Sequence, residues 1–330
     1  MNIIVDAMGG DNAPLQVVKG ALDAALDYKN IDITLVGDEN KIRDCSKELE
    51  MTIPDNISIV HTDVVVEMDD DPMVVMKEKS ESSMAIGLKL LKDDKGDAFV
   101  SAGSTGALHT ASTLIVRKIK GIRRSAIATI LPFTPPILML DAGANPVVTP
   151  DLLLQWAVVG SAYMKKVFGV KNPRVGLLNN GTEEHKGTPT ACEAYALLKE
   201  KEGINFVGNI ESKEIPNSPC DVLVTDGFTG NITLKFAEGM GKFIGKNLTE
   251  IFKSNIFTKL SYLFFFKKKI KKFKKRLDAS EYGGAPLLGL SKPVIKAHGS
   301  SKAKEIKTAI RQAIEYSRSN IIEEVSREIK

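Results

Sequence analysis

Five glycine-bearing turns hold most of the residues in this chain that could do chemistry. They are Asp6-Ala7-Met8-Gly9-Gly10-Asp11, Ser101-Ala102-Gly103-Ser104-Thr105-Gly106, Leu140-Asp141-Ala142-Gly143-Ala144-Asn145, Leu178-Asn179-Asn180-Gly181-Thr182-Glu183-Glu184 and Thr225-Asp226-Gly227-Phe228-Thr229-Gly230-Asn231. Each sets carboxylates, carboxamides or hydroxyls beside glycine at the end of an apolar run. In an open parallel sheet, ligands bind outside the carboxyl ends of the strands, so such turns are where a site is expected. The 101–106 turn suits an anion best: it has small residues for close approach, backbone N–H groups at a helix start, and the hydroxyls of Ser101, Ser104 and Thr105. The same residues also serve a plain helix N-cap. Convergence of the five turns would outline a polar cleft for a phosphate and a carbonyl. The dinucleotide GxGxxG, the P-loop GxxxxGK[ST] and the GxSxG nucleophile elbow are all missing.

The elements that must position these turns alternate along the chain. Asn2 to Asp6, Ile31 to Val36, Ile57 to Val60 and Asp97 to Ser101 read as strands, with helices over Leu15 to Leu26, Ser82 to Leu91 and Gly103 to Val116. Asp71-Pro72 reads as a helix N-cap followed by proline at the first helical position. The second half continues with strands over Ile137 to Leu140, Arg174 to Leu178 and Asp221 to Val224. Helices are expected over Leu152 to Phe168, over 228–252, and from about Lys302 onward. This alternation predicts an α/β fold of three α/β/α layers, with a mainly parallel sheet covered by helices on both faces. No repeat or low-complexity linker marks a boundary, so residues 1–330 are expected to form one two-lobed unit.

One segment departs from the rest. Residues 267–276 carry eight basic groups and no acid against a net charge of +4 for the whole chain, so the remainder is net acidic. Ile256, Leu260, Leu263, Phe266, Ile270, Phe273 and Leu277 follow at steps of three or four, one stripe of a helix, with Lys267, Lys271 and Lys274 among the lysines beside it. Such a segment is too charged to span a membrane. Residues 256–277 can lie in the interface, Phe and Leu in the acyl boundary and Lys towards anionic headgroups. The alternative is the solvated face of a dimer-forming helix. Nucleic-acid recognition finds no signature here.

Bulk properties set the remaining expectations. The chain has 330 residues and 43% hydrophobic content, enough for a substantial core. Met1 runs directly into Ile3-Ile4-Val5 with no secretory pattern, so a cytosolic location is expected. Cys45, Cys192 and Cys220 lack CxxC spacing and fit reduced thiols, and His61, His109, His185 and His298 show no HxxxH or HExxH spacing. No metal site built on histidine is expected.

With these motifs in order, the chain resembles the bacterial phosphate acyltransferases of phospholipid synthesis. The resemblance rests on DAMGGD at Asp6 to Asp11, SAGSTGA at Ser101 to Ala107 and DAGAN at Asp141 to Asn145. It continues through TDGFTGNITLK at Thr225 to Lys235, YGGAPLLG at Tyr282 to Gly289 and HGSS at His298 to Ser301. Ser104 stands where the family usually has Asn, and Ala142 where a larger aliphatic residue is usual. The resemblance implies transfer of a fatty acyl group from acyl carrier protein to inorganic phosphate, without metal or nucleotide cofactor. It implies a homodimer with a fold similar to phosphotransacetylase and isopropylmalate dehydrogenase. It also implies peripheral association with the membrane where a downstream glycerol-3-phosphate acyltransferase takes up acyl phosphate.

A thioester carbonyl accepts direct attack by phosphate, so the enzyme must bind the dianion, orient it and stabilise the oxyanion. On that basis Ser101, Gly103, Ser104, Thr105 and Gly106, with Asn179, are expected to hold phosphate. Thr229 and Asn231 are expected to orient the carbonyl, and Asp226 or His298 to handle the proton. Asp226 reads equally as a helix cap, and His298 as a hydrogen-bonded structural histidine. Arg117, Lys118, Lys120, Arg123 and Arg124 form a basic cluster suited to steering the acidic carrier protein, or an ordinary solvated helix end. The rival readings are a metal-dependent β-decarboxylating dehydrogenase of the same fold, with Asp69-Asp70-Asp71 as its metal-like run, and a non-enzymatic membrane adaptor.

The interfacial reading of residues 256–277 is testable on the stripe itself. Replacing Phe266 and Phe273 together by Glu is expected to abolish co-sedimentation with anionic lipid vesicles while the far-UV spectrum stays unchanged. Sedimentation equal to the parent chain would reduce the segment to a solvated helix.

Overall fold

The computed structural model describes residues 1–253, 262, 266–270 and 283–329. Strand β1 (Asn2–Asp6) shows how the layers arise. Side chains alternate across a strand, and here Ile3 and Val5 enter one apolar cluster while Ile4 enters another on the opposite face. After β1 come α1 (Leu15–Asp27), β2 (Asp32–Gly37), α2 (Glu39–Glu48), β3 (Ile57–His61), α3 (Ser83–Lys92), β4 (Ala98–Ser101) and α4 (Thr105–Ala111). Helix α4 runs on as a π-turn over Ser112–Val116. The second half adds β5 (Ala126–Leu131), β6 (Ile137–Leu140), α5 (Pro150–Lys166), β7 (Arg174–Asn179), α6 (Pro189–Glu200), β8 (Asn205–Glu211), β9 (Val222–Val224) and α7 (Gly227–Lys253). It closes with β10 (Ala285–Leu288), β11 (Val294–Lys296), α8 (Ala303–Arg318) and α9 (Ile321–Glu328). Helices α1, α5, α8 and α9 supply one apolar cluster and α3 and α4 the other, which gives the expected three layers.

Among the described residues all strands join one eleven-stranded sheet in the order β3-β2-β1-β4-β11-β10-β5-β6-β9-β7-β8. Strands β3, β2, β1, β4 and β11 run parallel to one another, and so do β6, β9, β7 and β8. Between the two blocks, β10 is antiparallel to both β11 and β5, and β5 is antiparallel to β6. Three reversals set the blocks in opposite directions. The carboxyl ends of β1, β4 and β11 therefore open at the opposite end of the sheet from those of β6, β9 and β7.

Several elements differ from the sequence-based expectation, each for a local reason. Asp71 does not cap a helix: its Oδ1 accepts the Met73 N–H at 2.8 Å in a turn that leads only to a short 3-10 segment, Val74–Met76. Helix α2 is unexpected because only Ile42, Cys45 and Ser46 are buried along it, too thin a stripe to register; Asp38 caps it, accepting from Asn40 and Lys41. Helix α6 similarly buries only Ala194 and Leu198. Strands β5, β8, β10 and β11 were also not anticipated, β10 and β11 being four and three residues long. The C-terminal helix breaks at Asn320, whose φ of 55° is left-handed.

Helix α8 lies against α1 at a glycine. A Cβ on Gly20 would stand 2.6 Å from both the Ala303 carbonyl oxygen and the Ile306 Cβ. On an open helix Gly→Ala gains up to about 1 kcal/mol. Here Gly20→Ala is expected instead to destabilise the fold by about 1–3 kcal/mol through overpacking, read as a lower urea midpoint at unchanged slope.

Candidate functional site

The turns that follow β1, β4 and β11 pack onto one another. Asp6, the last residue of β1, is 1% exposed and accepts from Ser83 Oγ and Ser101 Oγ, both at 2.6 Å. Burial pushes its carboxyl above the usual range even though the Ser101, Ser83 and backbone hydrogen bonds pull it down. Ser101 Oγ in turn accepts the Gly103 N–H at 3.0 Å. A Cβ on Gly9 would lie 2.7 Å from the Gly103 nitrogen, so only glycine lets the two turns meet. Gly10, at φ 108°, brings the Asp11 N–H to the Gly299 carbonyl at 2.8 Å, and Asn12 Nδ2 reaches the Ser300 and Ser301 carbonyls.

Ser101, Gly103, Ser104, Thr105, Gly106 and His298 thus share one end of the sheet. Ser101 is buried with its hydroxyl engaged by Asp6 and Gly103, so it shapes the turn. Ser104 occupies the N-cap position of α4 without a side-chain capping bond, and Thr105 is exposed. His298 is exposed, and its Nδ1 accepts the Ser300 N–H at 3.2 Å, which leaves the ring proton on Nε2.

One residue of this cluster escaped the sequence reading. Lys296, the last residue of β11, is opposite Ser101 in the parallel register and 6% exposed. Its Nζ donates to the Ala102 carbonyl at 3.2 Å and to the Ala297 carbonyl. Burial lowers its pKa to about 8, against the opposing pull of Asp11 and Asp6. The available signal was a lysine inside the apolar run Val294-Ile295-Lys296-Ala297, immediately before His298.

The turns after β6, β7 and β9 form a separate group. Asp141 is fully buried and accepts from the backbone N–H groups of Ile127, Gly143, Ala144 and Asn145 and from Asn145 Nδ2. Gly227 and Gly230 press against the same turn; a Cβ on Gly230 would collide with the Asp141 carbonyl. Asp226 caps α7, its two oxygens accepting from Thr229 N–H at 2.8 Å and Thr229 Oγ1 at 2.7 Å. Asn231 packs beside Gly143. Asn179 donates to the Lys186 carbonyl at 2.9 Å and accepts the Asn180 N–H at 2.8 Å within its own loop. In the sheet β9 is five positions from β4 and β7 is six, roughly 24 and 29 Å at about 4.8 Å each. Asp226, Thr229, Asn231 and Asn179 are therefore not brought to the 101–106 turn within the chain, and the five turns form two groups rather than one cleft.

Helix α4 links the two groups. His109 Nε2 lies 3.1 Å from Ser125 Oγ, and Asn145 Nδ2 donates to the Ser125 carbonyl at 2.9 Å and to Asp141. Burial lowers the His109 pKa. Here a cavity of about 380 Å³ is lined by His109, Thr110, Thr113, Leu114, Lys118, Arg123, Arg124, Ser125 and Asn145. Lys118 Nζ donates to the Arg123 carbonyl, Arg123 pairs with Asp151 at 2.9 Å, and Arg124 donates to the Val147 carbonyl. Arg117 and Lys120 are exposed beside it.

The remaining expected residues are quickly placed. Asp70 engages Lys79 and the Glu67 N–H, and Asp71 the Met73 N–H, so two of the three acids of this run are occupied by protein partners. Of the membrane stripe, Phe266 and Lys267 are exposed, Ile270 is buried, and the Phe266 ring lies 5.3 Å from that of Phe252. Leu263, Lys271, Phe273 and Lys274 lie outside the described residues.

Comparison with known proteins agrees with this architecture. Residues 1–324 match the model of the family described as fatty acid synthesis protein. A phosphate acyltransferase of Thermoanaerobacter pseudethanolicus is 43% identical over 331 residues, covering 100% of this chain and 98% of that protein. A phosphotransacetylase from Streptococcus pyogenes superposes with a TM-score of 0.64 at 17% identity, over 96% of this chain and 94% of its own. A Salmonella typhimurium protein described as a 4-hydroxythreonine-4-phosphate dehydrogenase superposes at 0.54 and 12% identity, over 96% and 98% of the two chains; the fold is common to both reaction classes. Matched to the family over nearly its whole length, and to a phosphate acyltransferase from end to end, the chain belongs to the fatty acid synthesis proteins that include the phosphate acyltransferases.

Proposed function

We propose that this chain transfers a fatty acyl group from an acyl carrier protein thioester to inorganic phosphate, with phosphate held where the turns after β1, β4 and β11 meet. The observation that carries the reading is that glycine-lined meeting point, with a buried cation beneath it, in a member of the phosphate acyltransferase family. A phosphate oxygen attacks the thioester carbonyl carbon, the C–S bond breaks, and sulfur leaves with the bonding pair. The phosphate must sit within about 3–3.5 Å of that carbon. The proton that the departing thiolate needs is the one the attacking hydrogen phosphate gives up, and His298, exposed at this end of the sheet beside Ser300, is placed to relay it. Asp226, Thr229 and Asn231 cap α7 and pack the far group of turns, so within one chain they do not reach this meeting point.

The carrier protein docks at the basic cavity beside α4. Lys118, Arg123 and Arg124 on its wall, with Arg117 and Lys120 near, suit an acidic partner, and His109 and Thr110 line the side that leads back along α4 to the 101–106 turn. The chain works as a homodimer through α7, where Phe228, Ile232, Phe236, Phe243 and Ile251 are exposed along a 27-residue helix. A row of that length left in water is a protein contact in the making. The 256–277 segment holds the dimer at an anionic membrane surface, where acyl phosphate passes to a glycerol-3-phosphate acyltransferase. No helix among the described residues is long and apolar enough to cross a membrane.

The direct test supplies purified protein with acyl carrier protein thioester and inorganic phosphate and looks for acyl phosphate, with and without chelator. Acyl phosphate formation insensitive to chelation is expected; loss on chelation would favour the metal-dependent dehydrogenase class. Arg123→Glu with Arg124→Glu is expected to raise the carrier KM by about tenfold or more with little change in kcat, a defect that shrinks at high salt. An unmoved carrier KM would make the cluster a solvated surface. Phe236→Glu with Phe243→Glu is expected to convert the dimer to monomer in sedimentation velocity, and a dimer that persists would place the interface elsewhere.

A further inference from the structure

We propose that the Lys296 ammonium is the group that grips inorganic phosphate, making it a substrate-binding residue of the site rather than a strut between two strands. The proposal rests on phosphate being the acyl acceptor, and it adds the cation that recognises it.

The argument begins with what surrounds the amine. Lys296 ends β11 at the level of Ser101, with only 6% of its surface exposed. An ammonium has three N–H donors, and two are met by the Ala102 and Ala297 carbonyls. Among the described residues no carboxylate forms an ion pair with it. Buried charges are as a rule paired, and the absence of a partner here marks a place for a ligand. Two acids act on it from nearby, Asp11 and Asp6. Asp6 is committed elsewhere, accepting from Ser83 and Ser101, and Asp11 is exposed to solvent.

The surroundings select the kind of ligand. Gly9, Gly10 and Gly103 let the three turns close on one another with backbone instead of side chains, so the amine lies beneath backbone and small groups. A compact ammonium acts on phosphate as a point charge, without the planar fork by which arginine selects carboxylate. Burial has already weakened the proton's hold, to a pKa of about 8, and Asp11 and Asp6 are the titratable groups that act on it. A bound dianion favours the charged amine and restores that proton. Above about pH 8 the free amine is neutral, so anion binding should weaken as pH rises through that value.

The test measures phosphate binding by calorimetry and the two Michaelis constants separately, in the full chain and in Lys296→Met and Lys296→Arg. Lys296→Met keeps the length and removes the charge. It is expected to raise the phosphate KM and Kd by about tenfold or more while the thioester KM stays within about twofold, with Lys296→Arg intermediate. A purely structural lysine would move both constants together or neither, and either result overturns the proposal. Should Lys296→Met fail to fold, the parent chain decides: sulfate, a dianion across this range, should bind more weakly by calorimetry above pH 8 than below it, and a flat profile sinks the idea. Calorimetry needs no acyl donor. Phosphate binding that depends on Lys296 in a protein that makes no acyl phosphate would refute the proposed reaction and leave this site standing; acyl phosphate formation with binding indifferent to Lys296 would do the reverse.

Discussion

Strand β10 is the constraint on which the architecture depends. It is four residues long and antiparallel to both neighbours, the first half of it paired with β11 and the second half with β5. Gly284 just before it is obligatory, since a Cβ there would stand 2.5 Å from the Lys296 carbonyl, and Gly289 just after it turns at φ 93°. Because β10 is antiparallel to β11 and to β5, and β5 to β6, three reversals separate the two parallel blocks, and one sheet carries two sets of carboxyl ends that open at opposite ends. Each set gathers its own turns. The rule that ligands bind outside the carboxyl ends of the strands therefore points to two places in this chain, and chemistry must choose between them.

The buried charges make that choice. Asp141, in the far group, is met by five N–H donors, which is how a carboxylate is held when its purpose is to pin turns together. Asp6 is met mainly by hydroxyls and remains shifted upward by its burial. Lys296 is met by carbonyl oxygens alone, so its charge is solvated by dipoles but not neutralised. Removing a group like Asp141 would be felt in folding, because its donors would be left unsatisfied. A buried cation without an ion-pair partner is poised for an anion, and it lies at the end of the sheet where Gly9, Gly10 and Gly103 let the turns meet.

Beyond the sheet, two surfaces differ sharply in character. Helix α7 starts firmly, capped by Asp226 and wedged by Gly227 and Gly230 against the 141–145 turn, then carries exposed phenylalanines along its length. The cavity beside α4 is walled by cations and hydroxyls. An apolar row invites a partner by burial, whereas charge steers one from a distance and releases it with salt. Helix α4 connects this cavity with the glycine-lined turns, since it begins at Ser104 and delivers His109 to Ser125.

Much of this was legible in the sequence. The β-α alternation, the glycine turns and the long helix after Asp226 all depend on neighbours close in the chain, where periodicity and turn chemistry act. Strand β1 shows it best, since Ile3, Ile4 and Val5 specify both faces of a central strand by themselves. Elements with thin apolar stripes, such as α2, or of three or four residues, such as β10 and β11, were lost because their stability comes from neighbours distant in sequence. Which turns share a site was likewise undecidable locally: Asp226 and Ser101 sit in motifs of the same kind, and only strand order and direction put them at opposite ends of the sheet. Lys296 lies at the far limit of this. In the sequence it is one of many lysines, and it becomes distinctive only when β11 inserts between β4 and β10 and takes its charge out of water, since desolvation is a property of the packed fold and not of the residue.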